Sequence, residues 1–214
     1  LANANLRAVC LAQGAPAAVI GTITAPTAGQ ANITAGGNPN VGPETATTWS
    51  VGLVFTPAFL PGFSGSIDYY NIKVKDAITT PTPGDLIAAC FDNLSAASAT
   101  SAACTAIRRN PITGGLDGDP ATTGGLFGAL SNLGTLATDG IDLNLAYSTG
   151  IGTVFGQEGR LSLSFNGNYT NSSKFQATPT ALNRECINQY SVNCGSIQPK
   201  YSFSQRTTLG LGPV

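Results

Sequence analysis

The chain has no histidine and no methionine among its 214 residues, and a single tryptophan. Without histidine it lacks the usual general base near neutral pH and the commonest metal ligand. Without an initiating Met, it is expected to be a processed chain or a piece of a longer one. Charge is scarce as well, with 10 Lys+Arg against 11 Asp+Glu and a net charge of -1. No basic patch is present to attract nucleic acid. No run approaches the roughly 18 apolar residues of a membrane helix, and no secretory signal pattern is visible.

Five cysteines stand against these absences: Cys10, Cys90, Cys104, Cys186 and Cys194. There is no Cys-x-x-Cys spacing, which argues against zinc. Cys90 and Cys104 form one local pair and Cys186 and Cys194 another, each inside loop-like sequence. Both are expected to be disulfides, which implies an oxidising compartment. Cys10 is left over, either free or bonded to a partner outside the chain.

The clearest pattern lies in residues 140–170. Ile141, Leu143, Leu145 and Tyr147 alternate with Asp142, Asn144, Ala146 and Ser148. After a Gly-rich break the pattern returns as Leu161, Leu163, Phe165, Gly167 and Tyr169, interleaved with Ser162, Ser164, Asn166 and Asn168. A period of two with apolar residues on one parity is a strand with one apolar face, and two such strands make a hairpin. Trp49, Val51, Leu53 and Phe55 share a parity in an earlier strand, and Tyr201, Phe203, Leu209 and Leu211 do so in a later one. In residues 63–78 the parity slips, from Phe63, Ile67 and Tyr69 to Tyr70, Ile72 and Val74. Such a slip is a bulge or a strand leaving apolar surroundings, and the polar run from Asn71 to Asp76 favours the second.

The expected fold is therefore all-β, an antiparallel up-and-down meander with strands at about 49–56, 63–78, 139–149, 160–170 and 200–211. Residues 6–12 suit one or two turns of helix. Residues 85–93 suit a short helix capped near Gly84 or Asp85. The connections sort by length: 57–62 and 150–159 are short, while 79–138 and 171–198 are long and hold the cysteine pairs. In a meander, alternate connections lie at the same end. Short turns at one end and long loops at the other are the habit of outer-membrane barrels. Strand lengths agree with the roughly 9–11 residues a tilted membrane strand needs, and aromatics sit near strand ends. A secreted β-rich adhesion or carbohydrate-binding module, with a sealed apolar core, remains the alternative; a non-specific porin is another.

The run Gly37-Asn38-Pro39-Asn40-Val41-Gly42-Pro43-Glu44-Thr45, followed by Trp49, resembles the Asn-Pro-x-Leu-x-Pro-Glu signature of TonB-dependent outer-membrane receptors. Val41 stands in for the usual Leu and Gly42 for the usual Lys or Arg. The run Phe59-Leu60-Pro61-Gly62-Phe63-Ser64 and the strand from Asp68 to Ile78 are similar to the family's next elements. So are Arg109-Asn110-Pro111, Thr138-Asp139-Gly140-Ile141-Asp142 and Pro199-Lys200-Tyr201. The resemblance implies a 22-stranded barrel with a plug domain, importing a scarce substrate (a ferric siderophore, cobalamin or carbohydrate) with energy relayed by TonB, and no enzymatic activity or cofactor. Residues 1–48 would then be an extracellular loop region leading into the barrel. Residues 49–214 would be about five barrel strands, with long extracellular loops containing short helices. Plug and TonB box would lie elsewhere.

On that reading Trp49, Val51, Leu53, Phe55, Ile141, Leu143, Leu145, Leu161, Leu163 and Phe165 face outer-membrane lipid. Asp142, Asn144, Ser162, Ser164 and Asn166 face the lumen. Other constellations are weaker. Asp117-Gly118-Asp119 could be half of a calcium site, but no complete ligand set follows. Ser64 and Ser66 lack a catalytic partner. Asp68 with Asp76, or Asp139 with Asp142, pairs carboxylates, though solvated strand ends account for them. Arg108, Arg109, Arg184 and Lys200 would attract an anionic ligand, though scattered charges are usually just solvated.

Overall fold

The computed structural model describes residues 3–212. The expected loop region and barrel segment therefore each extend two residues beyond what is described. The chain forms two compact units that interleave along the sequence: Leu1–Thr45, Lys75–Thr135 and Gln176–Asn183 make the first, and Ala46–Val74, Leu136–Phe175 and Arg184–Val214 the second.

The first unit is built on helices and short strands. Helix α1, Ala4–Ala12, is capped by Asn3, whose side chain accepts from the Leu6 N–H at 3.1 Å. Strand β1 is Ile33–Gly36. Helix α2, Pro83–Phe91, starts two residues earlier than the expected 85–93, because Thr82 rather than Gly84 or Asp85 is the cap. The Thr82 hydroxyl accepts from the Asp85 N–H, the Asp85 carboxylate accepts from the Thr82 N–H, and Pro83 occupies the first helical position. That is a capping box with its preferred proline. Helix α3 is Ala102–Thr105, and strands β4, Ile107–Arg108, and β5, Gly125–Ala129, follow. β5 pairs in parallel with β1 and antiparallel with β4. Val9, Leu86, Cys90, Cys104, Ile107, Leu116 and Leu126 form a sealed core, and Ile107 and Leu126 are 0% exposed. The Cys90–Cys104 disulfide ties α2 to α3 across that core.

The second unit holds most of the larger sheet, the end of β3 and the start of β6 falling in the first. The strands of that sheet are β2, Thr45–Phe55; β3, Phe63–Thr79; β6, Ser131–Val154; β7, Gln157–Gln176; β8, Arg184–Glu185; and β9, Tyr201–Leu211. The order is β2-β3-β6-β7, with β8 and β9 both on the far side of β7. β9 pairs antiparallel with β7 from Gly159↔Leu211 to Tyr169↔Tyr201. β8 takes up the same flank at Lys174 and Phe175. The meander and its two edge strands, β2 and β9, are those expected from the sequence.

Three expectations need correction. β6 and β7 run well past 139–149 and 160–170 in both directions. Their connection is not 150–159 but the pair Phe155-Gly156, both in the left-handed region (φ 51° and 78°) that a tight two-residue hairpin requires. Glycines at 150 and 152 lie in the strand rather than in a loop. Finally, 79–138 holds more than the expected short helix: α3, β4, β5 and the start of β6 lie in it as well.

Candidate functional site

The registers place every odd-numbered residue of the β7–β9 pair opposite another odd-numbered one, so one parity makes one face. On the odd face, Ile141, Leu143 and Phe165 converge with Ile67, Phe203 and Tyr201 around one apolar depression, and Val51 and Leu53 join Ile67 and Ile141 at a second. Aromatic rings bridge neighbouring strands: Trp49 to Tyr69 at 5.2 Å, Phe55 to Phe63 at 5.7 Å, Phe165 to Phe203 at 6.0 Å and Tyr169 to Tyr201 at 5.2 Å. No layer covers this face among the described residues: Trp49, Val51 and Leu53 are 52%, 63% and 62% exposed. Leu145, Leu161 and Leu163 are half-buried.

The even face is polar and wired together. Asn168 donates from Nδ2 to Asp142 at 2.8 Å and to the Tyr70 hydroxyl at 3.1 Å. Asn144 donates to Ser66 at 3.3 Å, Ser148 and Ser162 are 3.2 Å apart, and Arg160 donates to Ser148 at 3.3 Å. Gly140 makes room for this network. A Cβ there would stand 2.7 Å from Cζ of Tyr70, so only glycine lets the ring cross to Asn168. A concavity of about 350 Å³ is lined by Asn144, Ser164 and Asn166, and one of about 230 Å³ by Ser162, Ser164 and Arg206. The sequence-predicted polar residues are thus brought onto one surface. Tyr70 and Arg160 belong to it too. Their signal was available: both sit at even positions, and the apparent slip after Tyr69 hid Tyr70.

Both expected disulfides are formed, Cys90–Cys104 with Cα atoms 4.7 Å apart and Cys186–Cys194 at 5.3 Å. Cys10 is buried and carries no disulfide. Several of the charged candidates are occupied structurally. Asp117 accepts from the Thr27 N–H and hydroxyl, both at 2.8 Å, and these bonds, the backbone one foremost, hold its carboxyl below the usual value. Asp119 accepts from the Ala121 N–H at 2.9 Å, and no metal-ligating group of side chains occurs among the described residues. Arg109 donates to Gln13 at 2.8 Å and to the Gly114 carbonyl at 3.0 Å, so it braces the first unit rather than facing a ligand. Burial lowers its pKa, partly offset by nearby Cys10. Asp139 accepts from Tyr69 at 3.1 Å and from Asn171 at 2.8 Å. Burial pushes the Glu185 carboxyl up, but the Ser173 and Ile187 amides, the Ser172 hydroxyl and Lys174 outweigh it and hold the group below its usual value.

An antiparallel meander with one bare apolar face, one hydrogen-bonded polar face and length-sorted connections has the architecture of a membrane-barrel wall. No helix among the described residues is long and apolar enough to cross a membrane. The family model described as "TonB dependent receptor-like, beta-barrel" matches residues 12–212, and the chain belongs to that family of outer-membrane receptors and transporters. No curated protein and no solved structure matches the chain.

Proposed function

We propose that this chain is a wall segment of a TonB-dependent transporter that takes up a scarce solute: a ferric siderophore, cobalamin or a carbohydrate. Its odd face meets outer-membrane lipid and its even face lines the lumen, beside a plug domain supplied by other sequence. TonB acts through a box that is likewise outside these residues. The observation that carries this reading is the uncovered two-faced sheet. Nine of ten lipid-facing candidates are Val, Leu, Ile or Phe, the tenth is Trp49, and the polar candidates share the opposite parity. Aromatic pairs frame the apolar band: Trp49–Tyr69 and Tyr169–Tyr201 toward the long connections, Phe55–Phe63 beside the short one. Along β2, Trp49 and Phe55 lie about 20 Å apart at about 3.4 Å per residue, which suits girdles flanking an apolar band. A secreted module would need a sealed core under these strands, and Cys186 is the only buried apolar residue of this unit among those described.

The test is a pair of arginine scans in the full-length protein refolded into bilayers, followed by denaturant titration. Leu143→Arg and Leu163→Arg are expected to lose roughly 2–4 kcal/mol, the range for a lipid-facing charge near the midplane. Asn144→Arg and Ser164→Arg should be tolerated. The opposite ranking would overturn the assignment of faces.

A further inference from the structure

The first unit contains a cavity of about 480 Å³ lined by its own residues alone. Leu86 and Ala89 of α2, Ala103 of α3, Phe127 of β5 and Leu133 of β6 make its walls. Hydroxyls of Ser131, Thr178 and Thr180 contribute the polar edge. The volume falls in the range of about 300–1,000 Å³ typical of small-molecule sites, which are likewise apolar with a few polar groups.

Three features distinguish it from an accidental gap. First, it is braced: the Cys90–Cys104 disulfide joins the two helices that supply the alanine walls, so the space is held open by a covalent tie. Second, it leaves large apolar side chains within reach of solvent: Phe127 and Leu133 are 41% and 53% exposed. Exposed large apolar side chains around a concavity mark a place where something binds. Third, its one ionisable lining residue is Asp85, whose carboxylate accepts from both the N–H and the hydroxyl of Thr82 at 3.1 and 2.7 Å. That carboxylate is committed to the helix cap, and nothing else in the lining is charged.

We propose that this cavity binds an uncharged, mostly apolar small molecule carrying a hydroxyl or similar hydrogen-bonding group. An anion would meet no cation there, and a cation would compete with the Thr82 cap for Asp85. Burial of the ligand's apolar surface against Leu86, Phe127 and Leu133 supplies the affinity. The small side chains of Ala89 and Ala103 supply the room. The site is separate from the transport reading, because every lining residue falls in the first unit, Ser131 and Leu133 standing at the start of β6 ahead of the two-faced stretch from Ile141 onward.

The experiment uses the full-length protein in lipid nanodiscs with 4-fluorobenzyl alcohol as the probe, read by fluorine NMR line broadening against empty nanodiscs. Ala103→Trp and Ala89→Phe fill the cavity from two different helices. Wild-type hydrogen-exchange protection of the β5 and α1 amides shows that each variant is folded. Broadening by the wild type, weakened by about tenfold or more in either folded variant, with none for 4-fluorobenzoate or 4-fluorobenzylamine, supports the site. Absence of broadening, equal broadening in the folded variants, or equal binding of the charged analogues overturns it. Failure of the wall reading would appear separately, as failure to insert into the nanodisc at all.

Discussion

The two units of this chain solve the same problem in opposite ways. In the first, apolar side chains are hidden from solvent: Val9, Ile107 and Leu126 are fully enclosed. Polar atoms in its core are individually paired, as when Gln13 donates to the Cys104 carbonyl at 3.2 Å and accepts from Arg109 at 2.8 Å. In the second, apolar side chains point outward in rows and the order comes from backbone ladders and a cross-strand polar network. The first is folded by excluding its surroundings; the second is folded by matching them. A hydrophobic face without a covering layer is thus a statement about the solvent the sheet expects.

The sharpest way to break this comparison is to make one truncation in both regions. Ile107→Ala, in the sealed core, is expected to cost roughly 2–5 kcal/mol because it leaves a cavity. Leu143→Ala should cost a small fraction of that in a bilayer, since lipid tails fill the space with equally apolar contact. Denaturant titration in nanodiscs, with hydrogen exchange read separately for each unit, distinguishes them. Equal losses would mean that the odd face is covered by protein. A smaller effect tests the local logic of the first unit. Thr82→Ala removes the α2 cap and should cost about 1 kcal/mol, with faster exchange confined to α2 amides. The smallest tests the second. The Glu185 carboxylate accepts from the Ser173 N–H at 2.8 Å and ties β8 to β7. Because its folded pKa is depressed, its stabilising contribution is complete above the ordinary Glu value of about 4.3 and is lost as pH falls through the folded value. Protection of the Ser173 amide should therefore fall in acid and be pH-independent in Glu185→Gln.

The same contrast explains what could be read from the sequence. The odd-even pattern of β2, β6, β7 and β9 is local and survives any register, so both faces were legible residue by residue. The outer lengths of β6 and β7 were not. Past Tyr169 both parities are polar, as at Asn171, Ser172, Ser173 and Lys174, and no alternation remains to betray a strand. What holds that part is the ladder itself, helped by bonds such as Thr138 to the Ser172 carbonyl at 3.0 Å. In the first unit α1 and α2 were legible, but the short strands and the packing were not, because they depend on distant partners. Gln13 meets Cys104 and Arg109, and β1 meets β5, across more than ninety positions. Its Cys90–Cys104 disulfide was legible, as was Cys186–Cys194 in the second unit, since short loops made both pairings a local matter.

The Phe155-Gly156 turn has a consequence in time rather than in space. It closes the two longest strands, of 24 and 20 residues, over the smallest loop in the sheet. Loop-closure entropy rises with the length to be closed, and pairings between sequence neighbours form fastest. The β6–β7 ribbon therefore needs the least search of any long pairing in the chain. β9 must await closure of the 177–200 connection, and β3 that of the 80–130 connection, before either can dock on its flanks. The turn that sets the hairpin's register also sets the point from which the rest of the sheet can be counted out.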